Sequence, residues 1–134
     1  MRSFDPDNPL SGLRVLVAED EILIAINLEE TFREAGADVV SASTLGTALS
    51  GAADQSLSAA VLDVRLGSQT TEAIAELLHR RNIPFLFYTG QQLPDSMRQK
   101  FPNVTVLVKP IRQRACQSAL KIDPQSASKI DPSA

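Results

Sequence analysis

Five short apolar runs recur along the chain, at residues 13–18, 38–42, 59–63, 84–89 and 104–108, and stretches of helical or turn character separate them. Runs this short and this rich in Val, Leu and Phe read as strands that are apolar on both faces. Such strands need cover on both sides. Interleaved helices supply it when the strands run parallel and the crossovers are right-handed. The expected fold is therefore α/β: a five-stranded parallel sheet with helices covering both faces. In such a sheet, ligands bind beyond the carboxyl ends of the strands.

The intervening segments support helices. In residues 21–35, Ile24, Leu28, Phe32 and Ala35 fall on one stripe, and Gly36 stands where a C-cap glycine belongs. Ser43 or Thr44 can cap a helix over 45–52, and Thr70 one over 70–81. Residues 94–101 allow only two turns, so the fourth helix is expected to be short. A last helix over 110–121 would carry a thin stripe of Ile111, Ala115 and Ala119. Polar, Pro-containing residues 1–12 read as a flexible leader and 13–121 as one domain. Residues 122–134, where Lys-Ile-Asp-Pro occurs for the second time, read as a flexible tail.

Composition narrows the function. A chain of 134 residues has room for one domain and a tail. A net charge of -3, no Trp and few aromatics argue against a nucleic-acid surface, which needs a basic patch and stacking rings. One cysteine rules out an intrachain disulfide framework and fits a reducing compartment. No run nears the roughly 20 apolar residues that span a bilayer, and no signal peptide opens the chain. The expectation is a cytoplasmic protein without membrane contact.

The chemistry stands at the strand ends. The first strand ends in Glu19-Asp20, with Glu21 next; the third in Asp63; the fourth in Thr89-Gly90; the fifth in Lys109-Pro110. Singly, each has a plain explanation as a cap, a turn residue or a loop. Jointly, they gather acids, a hydroxyl and an ammonium at one sheet edge. Converging carboxylates repel, and a cation relieves them. An all-oxygen donor set favours a hard ion such as Mg²⁺ over zinc. A hydroxyl and an ammonium beside it can hold phosphoryl oxygens, and Asp63 is then a candidate carboxylate nucleophile that forms an acyl phosphate.

On Glu19-Asp20, Asp63, Thr89-Gly90 and Lys109-Pro110, the sequence resembles the receiver domain of two-component response regulators over about residues 13–120. The resemblance implies a doubly wound, flavodoxin-like sheet of strand order 2-1-3-4-5. It implies that Asp63 accepts a phosphoryl group from a histidine kinase or a histidine phosphotransfer protein. Asp20, Asp63 and the backbone carbonyl of Arg65 would hold Mg²⁺, with Glu19 acting partly through water. Thr89, Gly90 and Lys109 would bind the phosphoryl group, and Pro110 would follow a cis bond. The implied protein is a signalling module that phosphorylates and dephosphorylates itself, not an enzyme with an external substrate; a homodimer stays open.

Three features depart from the family pattern. Val106 stands where a Tyr or Phe usually acts as a switch, and Tyr88 is the nearby aromatic that can replace it. The loop after Asp63 reads Arg65-Leu66-Gly67-Ser68-Gln69. The fourth helix is short, which with Phe87-Tyr88-Thr89-Gly90 resembles a branch of stand-alone receivers with a Phe-x-Thr-Gly motif. The tail is too short and polar for a DNA-binding module, so a single-domain receiver acting by protein contact, or as a phosphate shuttle or sink, is expected. Ile22 and Ile26 lie off the helix stripe and read either as buried under the loop before the last helix or as a docking patch. Arg65 can overhang the acyl phosphate and set its lifetime. His79 reads as a solvated helix residue and Cys116 as a packing residue. A scaffold that binds partners without phosphate is the alternative. An aspartyl-phosphate phosphatase is disfavoured, because position 65 is Arg where such enzymes need a second acid.

Overall fold

The computed structural model describes residues 6–109. The main sheet has five parallel strands: β1 (Arg14–Ala18), β2 (Asp38–Ala42), β3 (Ala59–Leu62), β6 (Phe85–Thr89) and β7 (Val106–Val108), in the spatial order β2-β1-β3-β6-β7. A small antiparallel hairpin, β4 (Arg65–Leu66) and β5 (Gln69–Thr70), follows β3. Four helices stand among the described residues: α1 (Ile22–Glu34), α2 (Leu45–Ala53), α3 (Glu72–Arg80) and α4 (Asp95–Lys100). The doubly wound, five-stranded order that the resemblance implied is the order found. The short fourth helix is also there, at six residues.

The period of two along each strand divides the core into two layers. Leu16, Ala18, Ala60, Leu62 and Phe87 face one side, where Ala48 and Ala52 of α2, Ile74, Ala75 and Leu78 of α3, and Met97 of α4 cover them. Val15, Val17, Ala59, Val61, Leu86 and Tyr88 face the other side, where Leu28 and Phe32 of α1 cover them. Leu28 and Phe32 are fully buried, each contributing about 1.5–3 kcal/mol of transfer free energy.

Several local readings change. The leader is not loose throughout. Leu10 is buried in the α1 layer, and its N–H donates to Ala35 O at 2.8 Å. Gly36, at φ +98°, ends α1 in the left-handed region; a Cβ there would lie 2.9 Å from Asn8 Cβ and 3.1 Å from Ser11 N, so the glycine admits this crossing. Thr44 caps α2 through a reciprocal capping box with Thr47. Thr70 does not cap α3. It pairs with Arg65 in the hairpin, and Thr71 takes the N-cap position. The hairpin escaped the sequence reading because two-residue strands show no periodicity. The cis bond expected at Pro110, the helix over 110–121, Cys116 and the tail lie outside the described residues.

Candidate functional site

The carboxyl ends of β1, β3, β6 and the edge strand β7 converge, and the ladders place each side chain. Glu19 N–H donates to Ala42 O at 3.0 Å, Asp63 N–H to Ala18 O at 2.9 Å, and Lys109 N–H to Thr89 O at 2.8 Å. Each functional residue is thus tied to the neighbouring strand just past the last ladder position. Carboxylate oxygens of Glu19, Asp20 and Asp63 all lie within 4.8 Å of one another. The Lys109 ammonium enters the same space, 2.6 Å from Glu19 Oε1, 3.0 Å from Asp63 Oδ2 and 3.3 Å from Glu21 Oε1. Three sequence-distant stretches, Glu19 to Glu21, Asp63 and Lys109, therefore meet in one acid-rich cluster.

Burial is graded across the cluster. Glu19 is 3% exposed, Asp63 is half-buried and Asp20 is exposed. Burial pushes the Glu19 carboxyl up to about 7, against the opposing pull of Lys109 and of the Glu21 N–H, which donates to Oε2 at 3.1 Å. Lys109 moves the other way from what burial alone would do. Desolvation favours its neutral form, but the carboxylates of Glu19 and Asp63 outweigh it and raise its pKa. Glu19 Oε1 touches the ammonium without hydrogen-bond alignment, so it is a buried oxygen with no hydrogen-bond partner among the described residues. An oxygen in that condition suits a cation.

The hairpin completes the rim. Gly67, at φ +62°, donates its N–H to Asp20 Oδ2 at 2.8 Å, which orients a carboxylate 47 residues away in sequence. Val64 N–H donates to Asp63 Oδ1 at 2.7 Å, leaving Oδ2 to Lys109. Arg65 is exposed at the start of the hairpin. Thr89 is buried, and its hydroxyl oxygen accepts from Gln91 N–H at 3.1 Å, so among the described residues its own proton stays available to donate. Gly90 is exposed beside Lys109, whose Cδ lies 4.0 Å from where a Cβ would stand.

The other singled-out residues divide. Tyr88 is buried, with the Lys109 ammonium 5.6 Å from its ring centroid. Val106 is partly exposed on β7, opposite Phe87. Ile22 and Ile26 are exposed, at 71% and 42%, so the burial reading fails; with Leu23 they form an apolar patch at the start of α1. His79 is exposed and packs edge-on against Phe101. One buried polar residue was missed. Thr71 donates its hydroxyl to Asp63 O at 2.7 Å and Val64 O at 3.2 Å. Only its position after a phosphoacceptor-like Asp hinted at this.

No family model matches the sequence, and no curated protein sequence does either. Solved structures do. The solution structure of SdrG from Sphingomonas melonis Fr1 is 35% identical, with 82% of this chain and 97% of that chain covered and a TM-score of 0.68. A CheY-like response regulator receiver domain protein from Methanospirillum hungatei JF-1 is 18% identical, with 90% and 100% covered and a TM-score of 0.76. A response regulator receiver protein from Sinorhizobium medicae WSM419 is 20% identical, with 91% and 99% covered and a TM-score of 0.74.

Proposed function

This chain belongs to the response regulator receiver family, and from that premise we propose that it is a phosphoacceptor module whose Asp63 takes a phosphoryl group from the phosphohistidine of a kinase or phosphotransfer protein. The observation that carries the reading is the meeting of Glu19, Asp20 and Asp63 with the Lys109 ammonium at the carboxyl ends of the strands. A scaffold has no need of crowded carboxylates, which repel one another at a cost to folding. The all-oxygen donor set, and the buried Glu19 Oε1 without a hydrogen bond, fit Mg²⁺ held by Asp20 and Asp63 with Glu19 assisting; the family resemblance adds the Arg65 carbonyl. Bound there, Mg²⁺ would neutralise charge on the carboxylates and the incoming phosphoryl oxygens.

The residues of the chain then have distinct tasks. Val64 N–H pins Oδ1 of Asp63 and leaves Oδ2 facing the cavity. An Asp63 oxygen attacks phosphorus; the O–P bond forms as the N–P bond of the phosphoimidazole breaks, and the imidazole nitrogen leaves with the electron pair. Lys109 gives up its contact with Asp63 Oδ2 and turns its charge to a phosphoryl oxygen, while the Thr89 hydroxyl donates to another. Catalysis is positioning and charge neutralisation. The module modifies itself and turns over no external substrate. The exposed Ile22, Leu23 and Ile26 beside the acids supply an apolar contact for the phosphodonor protein.

Intact-mass measurement after incubation with acetyl phosphate and Mg²⁺ tests this reading. A single phosphoryl adduct on the native chain, absent from Asp63→Asn, is expected. An unmodified native chain would leave the scaffold as the better account.

A further inference from the structure

We propose that Thr71 is a positioning residue for the phosphoacceptor, acting through its hydroxyl on the Asp63-Val64 backbone; the inference rests on the role given to Asp63 above. Thr71 stands at the N-cap of α3, where a threonine ordinarily turns its hydroxyl to the first free N–H groups of its own helix. Here it makes no such bond. The hydroxyl points back instead and shares its one proton between Asp63 O, at 2.7 Å, and Val64 O, at 3.2 Å. The Thr71 N–H donates to the same Val64 O at 2.8 Å, and the Thr71 carbonyl accepts from Ala75 N–H at 2.9 Å as the first link of α3. The residue is fully buried, so water cannot take over these bonds without repacking.

The consequence falls on the Asp63 carboxylate. β3 ends at Leu62; Asp63 N–H still bonds Ala18 O, but the carbonyls of Asp63 and Val64 lie past the sheet ladder and are held by Thr71. Thr71 fixes the carbonyls on both sides of the Val64 N–H. That N–H is the group which holds Asp63 Oδ1 at 2.7 Å and leaves Oδ2 turned to Lys109, at 3.0 Å. Loss of the hydroxyl frees the peptide unit to rotate, and the carboxylate then samples orientations that do not aim an oxygen at phosphorus. A misplacement of this kind slows chemistry without removing any reacting group.

The test compares rates of adduct formation from acetyl phosphate with Mg²⁺ in the full chain. Thr71→Val keeps the shape and loses the hydroxyl; Thr71→Ser keeps the hydroxyl. Thr44→Ala, which breaks the capping box of α2 and removes a hydroxyl bonded only to Thr47 among the described residues, controls for a general loss of stability. The expected result is a rate about tenfold lower or less in Thr71→Val, the native rate in Thr71→Ser, and the native rate in Thr44→Ala at a comparable drop in urea midpoint. If Thr71→Val does not fold, Thr71→Cys, with its weak donor, takes its place against Thr71→Ser. Native rates in Thr71→Val, or equal slowing in Thr44→Ala, would overturn the positioning role while leaving Asp63 as the acceptor. A native chain that forms no adduct would overturn both.

Discussion

Glu19→Gln isolates the cost of burying an acid at the floor of the cavity. Glu19 has an ordinary value of 4.5 and is raised to about 7, chiefly by burial, so the folded state holds its proton where the unfolded state has lost it. The sign follows. The contribution to stability is whole below pH 4.5 and is lost as pH rises through about 7, where the buried carboxyl must also ionise. At 1.36 kcal/mol per unit, the loss approaches about 3 kcal/mol by pH 8 without metal, or about 10 °C in midpoint for a domain of this size. Urea titrations followed by circular dichroism, in chelator, at pH 4.5 to 8.5, give the difference between Glu19→Gln and the native chain. Carboxylates outside the cluster cancel in that difference. The native chain should weaken relative to the variant across this window, and saturating Mg²⁺ should shrink the effect by favouring the ionised form. A difference that stays flat from pH 5 to pH 8 would show that Lys109 compensates the buried charge in full, and the argument from desolvation would fail.

Further outcomes follow from the same geometry. Mg²⁺ at ten times its dissociation constant should stabilise the native chain by about 1.4 kcal/mol and Asp63→Asn by less than half as much, which thermal unfolding reads directly. Arg65→Ala should shorten the half-life of the phosphoryl adduct severalfold by opening the exposed side of Asp63 to water; an unchanged half-life removes Arg65 from that role. Leu10→Ala should cost about 2–3 kcal/mol in urea, because Leu10 fills the α1 layer; a loose leader would show no cost. Asp54 is held down to about 2 by the Ser56 backbone N–H first, then by the Ser56 hydroxyl and Arg14. Its contribution is present above about pH 4 and is lost as pH falls through about 2, so Asp54→Ala should flatten the acid limb of a pH-unfolding curve.

The primary structure alone determined the alternation of apolar runs with helical stripes, and hence a parallel sheet covered on both faces, because strands apolar on both sides leave few other arrangements. It also put Glu19, Asp20, Asp63, Thr89 and Lys109 at strand ends, since topology sends every parallel strand to the same edge. What it left open depends on directions in space. Nothing in the spelling of residues 65–70 reveals a hairpin whose Gly67 N–H reaches Asp20. Thr71 looks like a helix cap until its hydroxyl is seen to turn back on Asp63. Leu10 reads as leader until α1 supplies a surface for it, and Ile22 and Ile26 are told apart from core residues only once α1 has chosen which stripe to bury. Periodicity reports which face of an element is apolar. The aim of one hydroxyl or one amide is fixed only when packing has set the elements against each other.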